Sequence, residues 1–211
     1  MAGRRPLTKK EEHRLIKVAR KSDPRTRAFI TTQLYTGFRA FEVASLTIGQ
    51  VYRGGRIVPK IGITPKFRKG HYGHTHWVPV GGELNRALTH YLARRVKEEG
   101  ILAPSAPLFV SRKHDERGRP RPITRHRAHQ LVRHAFTRAG IEDDGCLGTH
   151  TLRKTFCMKV FHLSGHNLIV TRNALGHRSV ATTEKYLECT REEVDAVILR
   201  GDWSRRPRQV A

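Results

Sequence analysis

Tyr186 stands nine residues after His177 in the run Leu175-Gly176-His177-Arg178-Ser179-Val180-Ala181-Thr182-Thr183-Glu184-Lys185-Tyr186. Upstream lies His150-Thr151-Leu152-Arg153, and far upstream is Arg39 with Glu42 three residues on. A phenol is a nucleophile once its proton is taken. Guanidinium forks match the non-bridging oxygens of a phosphate bidentately, and histidines move or share protons near neutral pH. Two arginines, two histidines and a phenol are therefore the groups needed to attack a phosphodiester without metal. Each has an ordinary explanation alone: a surface tyrosine, a helix stop at Leu-Gly-His, a solvated arginine after Gly37. Their joint spacing is what argues for chemistry.

The composition supplies the partner. Lys plus Arg number 41 against 18 acids, a net charge of +23 in 211 residues. Charge of one sign on this scale opposes compaction and favours a polyanion. The basic residues run along the whole chain, so the positive surface belongs to the fold and not to a tail. Cys146, Cys157 and Cys189 are odd in number and have no C-x-x-C spacing, which argues against a disulfide framework or a zinc site. No apolar run reaches membrane-spanning length and the N-terminus has no signal-like core. These features imply an intracellular protein in a reducing compartment.

The elements that must position these residues are mostly helices. Thr8-Lys9-Lys10-Glu11 has capping-box spacing and predicts a helix through about Arg20. Arg25–Tyr35, Phe38–Leu46, Glu83–Glu99 (apolar at Leu84, Leu88, Tyr91, Leu92 and Val96), Thr124–Ala139, Thr151–Leu163 and Leu168–Leu175 read as further helices. Val51, Ile57-Val58, Ile61-Gly62-Ile63 and Trp77-Val78-Pro79-Val80 suggest one small antiparallel sheet of two or three strands, with 66–76 as a hairpin tip. The proline-rich stretch 103–122 reads as a loop around Leu108-Phe109-Val110, mobile over Lys113–Arg121. His71, His74 and His76 on the hairpin have no Cys or acidic partner nearby and are expected to face DNA or solvent. Arg117–Arg127 are expected to be phosphate contacts or solvated faces.

The boxes resemble those of the tyrosine recombinases, the phage-integrase and Xer-like enzymes. Thr36-Gly37-Phe38-Arg39-Ala40-Phe41-Glu42-Val43 resembles their first arginine box, His150-Thr151-Leu152-Arg153 their H-x-x-R box, and Leu175-Gly176-His177 with Tyr186 their terminal box. The resemblance runs from about Leu7 to about Leu199. It implies an α+β, mainly helical catalytic-domain fold with a small antiparallel sheet. It also implies a site-specific recombinase that cuts and rejoins double-stranded DNA through a 3′-phosphotyrosine, with no cofactor or metal, at a nucleoid-associated place in the cytoplasm.

By the same resemblance Arg39 and Arg153 clamp the scissile phosphate and Glu42 orients the basic cluster. His150 is general base or phosphate ligand, His177 donates to the phosphate, and Tyr186 is the nucleophile. The general-acid lysine belongs on the hairpin, where Lys66 is preferred and Lys69 is the rival. Ala40-Phe41 departs from the small polar pair usual before the acidic residue, and Lys154 stands where many relatives have histidine.

The chain is expected to be a single catalytic domain over 1–211. Its core covers about 7–187, a C-terminal helix over 190–199 is offered for exchange between protomers of a homo-tetramer on paired sites, and 200–211 form a basic tail. The helical core-binding domain of longer relatives is expected to be absent, leaving either an excised fragment or a naturally short recombinase. The alternatives in function are a catalytically inactive DNA-binding accessory protein on the same fold, and a basic RNA-binding protein.

Overall fold

The computed structural model describes residues 5–67, 74–184, 195 and 199. Helix α1 (Lys9–Arg20) opens at Thr8, whose side chain caps Glu11 while Glu11 caps Thr8 in return. Helix α2 (Pro24–Thr36) follows an Asp23 cap and is buried on nearly every side. An all-round buried helix needs its polar groups met internally. The hydroxyls of Thr32 and Thr36 do this by donating to the carbonyls of Ala28 and Thr32, at 2.7 and 2.6 Å. Gly37 then ends α2 at φ 65°, and a Cβ there would sit 2.3 Å from the Phe156 ring. Both the left-handed backbone and the close approach demand glycine.

Helices α3 (Ala40–Ala44) and α4 (Ile48–Val51) lead into the strands β1 (Tyr52–Arg53), β2 (Arg56–Ile57), β3 (Lys60–Ile63) and β4 (His76–Pro79). The predicted single sheet is instead two separate antiparallel pairs, β1 with β2 and β3 with β4. In the second pair Ile61 lies opposite Val78 and Ile63 opposite His76. Ile61, Ile63 and Val78 face the core while Trp77, on the alternate face, is exposed.

Helix α5 (Gly82–Glu99) lies along α2. Its inward stripe includes Arg95 and not Val96, which corrects the apolar pattern read from the sequence. The Arg95 guanidinium reaches Glu99 and the carbonyls of Pro107 and Leu108, so its burial is fully partnered. Tyr91 stacks on Phe109 at 5.6 Å and gives its hydroxyl to the Leu108 carbonyl at 2.9 Å. The buried hydroxyl has its pKa pushed up to about 12 by desolvation.

A further correction concerns the expected loop. Val110–His114 (β5) and Pro120–Pro122 (β6) pair as a hairpin, and Asp115 closes the turn by accepting from the backbone of Arg117 and Arg119. The prolines that suggested a loop are tolerated because each strand of an isolated pair is an edge. Helices α6 (Arg125–Arg138), α7 (Thr149–Leu163), α8 (Leu168–Leu175) and α9 (Val180–Glu184) complete the order. Among the described residues no helix is long and apolar enough to cross a membrane.

Glu83 joins three helices. It accepts from Arg20 on α1, Arg27 on α2 and Arg86 on its own α5. The Arg20 guanidinium, ahead of the opposing desolvation, holds the Glu83 carboxyl at about 2 against an ordinary 4.5, and Arg5 holds Glu11 at about 2 in the same way. A carboxyl whose folded value is depressed stabilises fully above its unfolded value and loses that contribution as pH falls through the folded one. The melting temperature is therefore expected to fall between pH 4.5 and 2, and Glu83→Gln to flatten that slope. Parallel melting curves for wild type and Glu83→Gln across this window would contradict the assignment.

Candidate active site

Arg153 is the centre of the site. It lies one turn after His150 on α7 and is 1% exposed, the largest fully buried side chain among the described residues. Its Nη1 donates to the carbonyl of Gly37, at the end of α2. Its Nη2 donates to the carbonyl of Leu175, at the end of α8, at 3.1 Å, and meets His177 Nε2 at 2.8 Å. One guanidinium thus joins segments 116 and 22 residues away in sequence. Both carbonyls lie at helix C-termini, where the backbone dipoles favour a cation.

His177 is buried and its two ring nitrogens are spoken for. A guanidinium has no acceptor, so Nε2 must take the Arg153 proton with its lone pair. The ring proton is then on Nδ1, which donates to Thr183 Oγ1 at 2.9 Å. The imidazole is neutral in this arrangement. Thr183 is fully buried on α9, a helix that the sequence reading did not contain. Its signal was the Ser179 side chain, which accepts from the Ala181 backbone at the helix start.

Arg39 is the residue before α3. Glu42, 3% exposed, accepts both the Arg39 backbone N–H at 2.7 Å and the Arg39 guanidinium at 3.0 Å. A buried carboxylate therefore aims Arg39 from the same Gly37-Phe38-Arg39 bend that receives Arg153. Phe41, on α3, is half exposed with the Arg125 guanidinium 6.0 Å from its ring centre.

His150 falls in the first turn of α7, which begins two residues earlier than predicted, and its side chain is exposed. Gln33 on α2 holds that turn by donating to the Thr149 carbonyl at 2.8 Å. Lys66 occupies a 3-10 turn, Pro65–Phe67, directly after β3, and is exposed. Tyr186, Lys69 and His71 lie outside the described residues, as does the 190–199 segment apart from Asp195 and Leu199.

The structure thus brings Arg153, His177 and the Gly37–Arg39 bend together, with Glu42 behind Arg39. The sequence reading missed Thr183 and misassigned His76. Instead of facing DNA or solvent, His76 is half-buried, with its Nε2 3.1 Å from the Ala174 carbonyl and its ring edge-on to Phe38 at 5.8 Å. Alternation along β4 was the available signal: Val78 is a core residue, so His76 shares its face.

The domain is α+β and mainly helical, with a buried arginine–histidine pair and, at the bend that Arg153 reaches, a second arginine held by a carboxylate; its fold is that of the tyrosine-recombinase catalytic domains. The chain belongs to the phage integrase family, whose model matches residues 5–193. It is 30% identical over 177 residues to tyrosine recombinase XerC of Myxococcus xanthus, covering 82% of this chain and 53% of that one. Tyrosine recombinase XerA of Pyrococcus furiosus is 26% identical over 199 residues, covering 93% and 61%.

The crystal structure of a XerA recombinase superposes with a TM-score of 0.72 at 25% identity, over 95% of this chain and 66% of that chain. XerH bound to its difH substrate superposes at 0.68 with 21% identity, over 92% and 53%, a likeness of fold. The chain spans about half the length of the curated relatives first matched.

Proposed function

We propose that this chain is the catalytic part of a site-specific DNA recombinase that cuts and rejoins double-stranded DNA through a 3′-phosphotyrosine at Tyr186. The observation that carries this reading is the buried Arg153–His177 pair, tied to the bend that presents Arg39. The net charge of +23 supports a polyanionic substrate, and the related XerH is described with a DNA substrate bound.

In this mechanism the phosphate enters between Arg39 and Arg153, whose guanidiniums meet the charge that builds on the non-bridging oxygens. His177 now accepts from Arg153. To donate to a phosphate oxygen from Nε2 it needs a proton there, by protonation or by exchange of tautomer. The Tyr186 oxygen attacks phosphorus and gives its proton towards His150. The bond from phosphorus to the 5′-oxygen breaks, and Lys66, or Lys69, supplies the proton that makes a 5′-hydroxyl. A 5′-hydroxyl attacking the phosphotyrosine reverses every step. The phosphoester bond is exchanged and not hydrolysed, so the scheme calls for no energy source.

The test is covalent trapping. The chain is mixed with nicked duplex carrying the recombination site recovered from its flanking DNA. An adduct that survives SDS supports the reading, and tight binding with no adduct would turn it towards the inactive accessory protein.

The catalytic unit is proposed to assemble as a homo-tetramer on paired sites, through the 190–199 segment with its apolar Val194, Val197, Ile198 and Leu199. Removing residues 190–211 is then expected to abolish bridging of two duplexes in sedimentation while duplex binding persists. Unchanged bridging would defeat that proposal.

A further inference from the structure

A helix end leaves its last four carbonyls without intrahelical partners. At the end of α8 all four are met, and by different means. The carbonyls of Arg172 and Asn173 accept from the backbone N–H groups of His177 and Gly176, each at 3.0 Å, with Gly176 in the left-handed conformation at φ 63°. The Leu175 carbonyl accepts from Arg153 at 3.1 Å. The Ala174 carbonyl is met from the remote strand β4, by His76 at 3.1 Å. The acceptor is a carbonyl, so His76 Nε2 carries the proton.

His76 also reaches the other half of the site. Its ring packs edge-on against Phe38, which lies between Gly37, the acceptor for Arg153, and Arg39. In the strand pair it lies opposite Ile63, three residues before Lys66. A single imidazole therefore touches the bend that presents Arg39 and the helix end that presents His177, from the hairpin whose turn holds Lys66.

We propose that His76 is a positioning residue: it clasps the lysine-bearing hairpin to the two phosphate-binding segments and sets His177 against Arg153 by capping α8. This rests on the functional reading above for its consequence, but not for its geometry. Without the imidazole the Ala174 carbonyl loses this partner and the Gly176-His177 turn loosens. Misplacing a catalytic group by about 1 Å can cost on the order of 100-fold in rate. Ground-state DNA affinity rests on many phosphate contacts and is little affected.

Two variants of the full chain separate the cases. His76→Leu removes the donor and keeps apolar bulk, and His76→Gln retains an N–H donor on a flexible side chain. Adduct formation on nicked duplex at saturating protein is expected to slow about 10- to 100-fold in His76→Leu. The dissociation constant should stay within about threefold, and His76→Gln should recover most of the rate. Amide hydrogen exchange at Gly176 and His177 without DNA is expected to accelerate in His76→Leu and to return towards wild type in His76→Gln.

Unchanged exchange at these two amides in His76→Leu overturns the proposal whatever the activity. So does a slow His76→Leu whose rate, affinity and melting temperature fall together with no recovery in His76→Gln, since that is general destabilisation. If wild type forms no adduct the recombinase reading fails, and the exchange measurement still decides whether His76 holds the turn.

Discussion

Tyr186→Phe is expected to leave no SDS-resistant adduct on duplex that wild type captures, a loss of at least about 10⁴-fold, the scale on which removal of a nucleophile operates. The substitution keeps the ring and its area and removes only the oxygen that would bond to phosphorus. Stability and DNA affinity should therefore be nearly unchanged, with the dissociation constant within about twofold, because duplex binding is dominated by phosphate contacts. The pairing of an intact complex with absent chemistry is what assigns the role. An adduct of normal yield in Tyr186→Phe would show that another residue attacks, and would remove the foundation of the mechanism above.

Arg153 should give the second largest effect, with a different signature because the proposed mechanism uses in chemistry a side chain that the fold already uses in packing. Arg153→Ala removes the donor shared by the Gly37 and Leu175 carbonyls and the group that His177 accepts from. A buried polar group left unmet costs about 1–3 kcal/mol, so three in one place are expected to lower the melting temperature by at least about 6 °C, on the scale of about 2–4 °C per kcal/mol for a chain of this size. Arg153→Lys separates the two roles. It restores the positive charge but not the planar fork, so it should recover part of the lost stability. Adduct formation should remain down by about 10²–10³-fold, the usual cost of one lost donor to developing charge. Melting temperature and single-turnover adduct rate measured on the same preparations check both halves. Wild-type rates in Arg153→Lys would mean that charge alone suffices and that the bidentate contact is not used.

Much of the site could be read from the chain because the boxes are local. Glu42 lies one helical turn from Arg39 and Arg153 one turn from His150, so short spacing alone sets each pair on a common side. Helix ends were equally legible where a side chain announces them: the Thr8–Glu11 capping box and the Thr124 cap place α1 and α6 within a residue of prediction. What escaped had no local mark. The β5–β6 hairpin is made of prolines and charges, and its turn depends on Asp115 reaching backbone two and four residues ahead. Arg95 falls outside the apolar pattern of its helix, and its burial depends on the carbonyls that Pro107 and Leu108 bring to it.

Within the site, His76 and Thr183 had weak local marks, strand alternation for one and the Ser179 cap for the other, but neither mark names a partner. Neither belongs to a box, and each matters through a partner that only folding supplies. His76 lies 98 residues from the carbonyl it caps. Thr183 is only six residues from His177, yet its place was set by a short helix with no apolar repeat to declare it. The sequence by itself determined the chemical types on hand, their spacing within each box and the net charge of +23 on which the proposal of a polyanionic partner rests, because these follow from covalent order and composition. Tertiary structure alone decided which nitrogen of His177 carries its proton, which carbonyls share Arg153 and which strand closes α8, because a buried donor is assigned by what the fold brings within about 3 Å of it.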